Sequence, residues 1–149
     1  MPSASTVFVD TNVLLYAQDP RNAAKQAACA QWLAWCWRTQ SGRISSQVLH
    51  ELYANLRRVA PNQSVAQGRQ LVKLYRQWRP WPVDADTVDT AWALQDETGY
   101  SYWDSLMLAA AAQQGCRFLL TEDLQHQQVV GTVTIINPFL SDSLGVALS

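Results

Sequence analysis

At 149 residues, with 48% hydrophobic and 15% charged residues, the chain has the length and apolar content of one folded domain, which excludes a disordered polypeptide. A net charge of −1 excludes a protein that grips long duplex DNA by bulk positive charge, since such affinity comes from neutralising many phosphates. The longest apolar run, Leu106 to Ala112, is too short to cross a bilayer, and Met1 to Thr6 carries neither the basic cluster nor the apolar core of a secretory signal, so a cytoplasmic protein with no membrane partner is expected.

Thr6-Val7-Phe8-Val9 is a β-branched and aromatic run that predicts a strand, and Asp10-Thr11-Asn12 after it reads as a turn. A helix is predicted from about Asn22 to Gln40, with Ala24, Ala28, Trp32, Trp35 and Cys36 on one face and Trp37 nearly opposite. Gly42 breaks that pattern, and Arg43-Ile44 suffices for a brief strand. Ser45 or Ser46 then caps a helix through about Ala60 with Val48, Leu49, Leu52, Tyr53, Leu56 and Val59 as its stripe. Ser64 caps the next, to about Trp78, and Trp81-Pro82-Val83 reads as a short extended piece. Asp86 starts a helix to Thr98. Ser101-Tyr102-Trp103-Asp104 has the form of a capping box ahead of a helix that ends at Gly115. Phe118–Thr121 and Thr132–Ile136 are two further strands, the last stopped by Asn137-Pro138.

Short apolar strands alternating with helices predict an α/β domain with a mainly parallel sheet and helices on both faces. No repeat, low-complexity tract or linker divides residues 1–149, so a single domain is expected. Cys29, Cys36 and Cys116 lack any C-x-x-C spacing and no ligand spacing joins them to His50 or His126; buried free thiols are expected, not a zinc site.

In open parallel sheets, ligands bind beyond the carboxyl ends of the strands. Asp10 directly follows the first strand and Asp123 lies two residues past the Phe118–Thr121 strand. Glu51 belongs to the early turns of the helix after Ile44, and Asp104 to the first turn of the helix after Ser101. These positions allow all four acids to reach one edge. Carboxylates held close repel one another, and a hard divalent cation such as Mg²⁺ or Mn²⁺ removes the conflict. Such ions acidify water and stabilise charge on a scissile phosphate, chemistry that needs no His, Cys or Lys.

Each acid also has a purely structural reading. Asp10 suits an Asx-turn, Asp104 the capping box, and Glu51, off its helix's apolar stripe, a solvated surface. Asp123 follows Glu122 in an ordinary turn sequence, and its place nearer the next segment favours it only slightly.

Four stretches, V-F-V-D-T-N-V-L-L-Y-A (Val7–Ala17), S-S-Q-V-L-H-E-L-Y (Ser45–Tyr53), Y-S-Y-W-D-S-L-M-L-A-A-A (Tyr100–Ala111) and L-L-T-E-D-L-Q (Leu119–Gln125), together resemble the PIN-domain family, especially VapC-type toxins of bacterial toxin–antitoxin pairs. The resemblance spans nearly the whole chain. It implies a PIN-like α/β/α sandwich and Mg²⁺- or Mn²⁺-dependent endonucleolytic cleavage of RNA, of the tRNA or rRNA class. It also implies a VapB-like antitoxin and pairing of two copies in a homodimer. By position, Asp10, Glu51, Asp104 and Asp123 match the family's acidic quartet, and Asn12 and Thr121 match polar positions beside it. One departure is Gln127, which stands where many such toxins have a glycine and leaves the loop after Asp123 open.

Two other classes compete. A non-catalytic PIN-like module would bind RNA or an antitoxin without cutting. A Mg²⁺-binding signalling receiver also gathers acids at strand ends, but neither Lys25 nor Lys73 follows a late strand as such a domain requires. Among the seven tryptophans, Trp32, Trp35, Trp92 and Trp103 are expected in the core, and Trp37, Trp78 and Trp81 on a contact surface for an antitoxin helix or a second copy. Arg57 and Arg58 read as an exposed basic helix end, with guidance of an RNA phosphate as the alternative. His126 reads as a solvent-facing loop residue, with contact to RNA as the alternative.

Overall fold

The computed structural model describes residues 5–140; the start of the Met1–Thr6 stretch that bears on a signal sequence lies outside them. The chain runs β1 (Val7–Val9), α1 (Thr11–Gln18), α2 (Ala23–Thr39), β2 (Gly42–Arg43), α3 (Ser46–Val59) and α4 (Val65–Tyr75) with a 3₁₀ turn (Arg76–Trp78). Then come α5 (Ala85–Thr98), α6 (Tyr102–Gln113), β3 (Phe118–Leu120), β4 (Val129–Val130) and β5 (Val133–Ile136). The strands form one sheet in the order β2-β1-β3-β5-β4. All pairs are parallel except β4 with β5.

The crossovers β1→β2 and β2→β3 run in opposite directions along the sheet, and right-handed connections therefore place helices on both faces. The central strands β1 and β3 are buried at every position, as continuous apolar runs in a covered parallel sheet must be. Phe8, Leu119 and Ile135 are among the fully buried side chains, each contributing roughly 1.5–3 kcal/mol by leaving water. α6 lies against β3, β5 and α5, and every residue from Ser105 to Ala111 is buried; its run of alanines permits that close approach.

The helix ends follow their caps. Asn22, Ser45, Ser64, Asp84 and Ser101 each accept a backbone N–H of the first turn through their side chains, which ties off donors the helix leaves unmatched. Two elements, α1 and β4, were not expected from the sequence, and Asp10-Thr11-Asn12 is not a turn between strand and loop. Helix α1 starts at once at Thr11, with Asp10 as its N-cap. β4 is likewise unforeseen and forms a tight antiparallel hairpin with β5 through Gly131 at φ 59°.

The tryptophans rearrange the expected core. Trp32 and Trp35 are buried as expected, but Trp92 and Trp103 are 55% and 60% exposed. Trp78 is buried, and Trp37 is half-buried against it and Tyr75, with ring centroids 5.1 and 5.3 Å away. The chain after α4 folds back over α2 and covers the face that the helical pattern leaves outside. Trp81 is also half-buried; its Nε1 donates to Thr87 and Gln113, and its backbone pairs with Ile44 and Ser46 at the sheet edge. The three cysteines are free and buried, with burial pushing their thiols up to about 12, about 12 and about 11. Among the described residues no helix is long and apolar enough to cross a membrane.

Candidate active site

β1 and β3 are parallel neighbours in register Val9↔Leu120, so the residues leaving their carboxyl ends emerge side by side. Asp10 leaves β1 and is 4% exposed. One of its oxygens accepts the Asn12 N–H at 3.3 Å, the N-cap bond of α1, and the other accepts Thr121 Oγ1–H at 2.7 Å. Thr121 Oγ in turn accepts the Asp123 N–H at 3.1 Å, which fixes the start of the loop after β3. Asp123 Oδ2 accepts from Asn12 Nδ2 at 3.1 Å. One polar chain thus links Asp10, Thr121, Asp123 and Asn12 across two strand ends.

Glu51 comes from α3, which packs against α1, and its Oε1 accepts from Thr11 Oγ1 at 2.7 Å. The sequence reading leaves Thr11 unassigned; it is buried, and its only signal is its place between Asp10 and Asn12. Gln47, one turn earlier, donates to Glu51 Oε2 at 3.4 Å. Asp104 sits half-buried in the first turn of α6, where Ser101 Oγ accepts its N–H at 3.1 Å. Among the described residues no bond returns from the Asp104 carboxylate to the Ser101 backbone, so only half of the expected capping box forms and that carboxylate stays available.

Glu122 and Asp123 part company here. Glu122 accepts from the Tyr16 hydroxyl and pairs with Lys25 Nζ at 3.0 Å, whereas Asp123 is exposed and turns to Asn12. Arg57 and Arg58 are exposed near the end of α3. His126 is not a free loop residue: half-buried, its Nδ1 accepts the Asn137 N–H at 2.9 Å. Gln127 holds φ 69°, the left-handed backbone that glycine adopts without strain, and donates its N–H to Ile135 at 2.7 Å.

The acids feel one another. Burial, with the negative charges of Asp123 and Asp104 adding to it, pushes the Asp10 carboxyl up to about 7 against the lowering effect of the Thr121 and Asn12 bonds. Asp104 is raised by burial first and then by Asp123 and Glu51, with the Ser101 bond opposing. Neither of the two salt bridges among the described residues reaches any of the four. Among the described residues, however, no three Asp, Glu, His or Cys side chains converge closely enough to grip one ion as they stand. Three of the carboxylates are turned instead toward Thr121, Thr11 and Asn12.

A family model, described as PIN domain, matches residues 7–131, which contain Asp10, Glu51, Asp104 and Asp123. The chain belongs to the PIN domain family. Solved structures share the PIN fold at low identity. One is a toxin–antitoxin complex from Klebsiella pneumoniae, with TM-score 0.65, 18% identity, and 90% of this chain and 98% of that one covered. Another is FitAcB from Neisseria gonorrhoeae, with TM-score 0.62, 18% identity and coverage of 91% and 100%. A third is VapC20 from Mycobacterium tuberculosis, described as a sarcin–ricin loop cleaving toxin, with TM-score 0.56, 20% identity and coverage of 76% and 87%. At these identities the likeness shows the PIN fold alone. Comparison with curated proteins gives no match.

Proposed function

We propose that this PIN domain is a divalent-metal-dependent endoribonuclease, built as one domain, and the toxin of a VapBC-type pair. Asp10 carries the reading: a carboxyl buried at the end of the central strand, beside Asp104 and Asp123, with no cation paired to it among the described residues. An arrangement that costs stability in the isolated chain is expected where a cation completes it. The donor set fits a hard ion, since it offers carboxylate oxygens and neighbouring amide and hydroxyl oxygens and no soft ligand. Asp10, Asp104, Asp123 and Glu51 would hold Mg²⁺ or Mn²⁺, with Asn12 and Thr121 in support. When bound, such an ion neutralises the scissile phosphate and acidifies water for in-line attack.

The chain's own residues do the positioning. Thr121 and the α1 backbone hold Asp10 in one orientation, Thr11 holds Glu51, and Asn12 holds Asp123. With its carboxyl raised to about 7 by burial, Asp10 is partly protonated near neutral pH in the isolated chain, and a bound cation would favour its carboxylate form. The substrate is RNA of the tRNA or rRNA class, in keeping with the relative described as cleaving the sarcin–ricin loop. The partners are a VapB-like antitoxin, in keeping with the toxin–antitoxin complex of the same fold from Klebsiella pneumoniae, and a second copy of the chain. The absence of a ready three-carboxylate cluster among the described residues favours a second reading, a non-catalytic PIN-like module that binds RNA or antitoxin.

Expression in bacteria without an antitoxin separates the two. The nuclease reading expects growth arrest that Asp104→Asn relieves, whereas equal toxicity of that variant removes Asp104 from the chemistry.

A further inference from the structure

Beside the acids, and sharing Glu51 with them, lies an open pocket of about 430 Å³ lined by Gln47, His50, Val83, Trp103 and Leu106. Its wall differs in kind from the acidic site: an indole, an imidazole, an amide and two aliphatic side chains. Trp103 immediately precedes Asp104 and presents an indole that is 60% exposed, steadied by Tyr102 at an edge-on 5.2 Å. Burying an indole is favourable, so a large exposed ring at the lip of a pocket is the informative exception.

Gln47 supplies a second, independent observation. It is only 8% exposed, and its Oε1 is buried with no hydrogen-bond partner. Its orientation is set by chemistry, because Nε2 faces two acceptors, Glu51 Oε2 and the Trp103 carbonyl, each at 3.4 Å. Flipping the amide would set three oxygens against one another. The amide oxygen is therefore a buried acceptor left without a donor, on a residue that lines a pocket whose lip is an aromatic ring.

We propose that this pocket is a nucleobase subsite, in which a base of single-stranded RNA lying beside the acids stacks on Trp103 and donates an exocyclic amino group to Gln47 Oε1. Gln47 Oε1 is covered in the free chain, so the lining side chains shift to admit the base, and Gln47 then regains the partner it lacks. Stacking is indifferent to base identity, but the acceptor is not. Cytosine and adenine carry an amino group at C4 and C6, whereas uracil presents a carbonyl oxygen at the same place and sets lone pair against lone pair. The subsite thus favours cytosine or adenine over uracil. The inference rests on the nuclease reading only in taking RNA as the ligand.

The test is fluorescence anisotropy with labelled hexanucleotides of cytidine and of uridine, in Mg²⁺, using the full chain carrying Asp10→Asn so that nothing is cut. The expected result is a roughly tenfold preference for the cytidine oligomer. Trp103→Ala weakens both oligomers about tenfold or more, and Trp103→Phe restores most of that loss. Gln47→Leu abolishes the preference while leaving uridine binding in place. Trp103 is on the surface, so its variants fold and keep the test decisive even if Gln47→Leu does not.

Hexanucleotide binding that is absent, or unchanged by Trp103→Ala, overturns the proposal and assigns the exposed ring to a protein contact. A wild-type enzyme that cuts RNA while these variants bind as before leaves the nuclease reading intact and the subsite refuted. A cytidine preference that depends on Gln47 and Trp103 in a wild-type protein that cuts nothing supports the subsite and refutes the nuclease.

Discussion

Asp10 occupies an expensive position, and its titration has a consequence for stability that is separate from activity. Its ordinary value near 3.8 rises to about 7 in the folded chain, chiefly through burial. Between these values the native protein keeps a proton that the unfolded chain has released, so this group lowers stability as pH rises through that window. Below it both states are protonated and the group contributes nothing; above it the loss is complete. Asp10→Asn keeps a side chain able to cap α1 and removes the charge. In EDTA at pH 8 the variant melts at least about 3 °C above wild type, the shift that ~1 kcal/mol produces in a chain this size, and at pH 4 the gap shrinks. Differential scanning calorimetry at the two pH values decides it; a variant that melts lower at pH 8 would show that the carboxylate is not under strain.

A second contrast at the same scale separates neighbouring acids. Glu122 is spent on Lys25 and Tyr16, whereas Asp123 faces Asn12 at the strand ends. Asp123→Asn is expected to cut RNA cleavage by more than about 100-fold, because a ligand costs at least as much as the groups that orient one. Glu122→Gln leaves cleavage within a few-fold. Equal losses in initial rate would place both acids in the chemistry.

Among the elements, backbone demands at two positions are the sharpest. A methyl group added at Gly42 would stand 2.5 Å from the Trp78 ring, so the edge strand β2 needs glycine for an aromatic side chain to lie on its backbone. Gly42→Ala should cost about 1–3 kcal/mol in urea unfolding, and Trp78→Leu in the same chain should recover part of it. Conversely, Gln127 holds a left-handed φ of 69°, and Gln127→Gly should gain up to about 1 kcal/mol. Additive losses for the first pair, or a loss for the second, would contradict the packing described.

Sequence pattern foretold the elements that carry their own start signals. Ser45, Ser64 and Ser101 are caps as expected, and the strands Val7–Val9 and Phe118–Leu120 are apolar because both sheet faces are covered. Helix α1 was missed because Asp10-Thr11-Asn12 suits a turn as well as a cap, and the tertiary bond from Thr121 that helps hold Asp10 in place is not visible in the local sequence. The tryptophans were misassigned for a related reason. Helical spacing cannot report that residues from α4 onward return to cover Trp37, or that nothing among the described residues returns to cover Trp103.

Across the whole molecule, the parallel register of β1 and β3 and the packing of α3 on α1 bring distant segments to one edge. The positions of Asp10 and Asp123 at strand ends were legible from sequence, as were Glu51 and Asp104 near helix starts. The side chains that orient them were less so, since Thr11 shows its role only through Glu51, 40 residues away, and Gln47 bonds the Trp103 carbonyl, 56 residues away, as well as Glu51 one turn on. The central claim is that these acids become a working site only when a divalent cation joins them. Cleavage of defined tRNA and ribosomal RNA fragments by the purified chain, with Mg²⁺, with EDTA, and with Asp10→Asn in Mg²⁺, tests it most directly. The account predicts discrete fragments in the first case alone; fragments that persist in both of the others would contradict it.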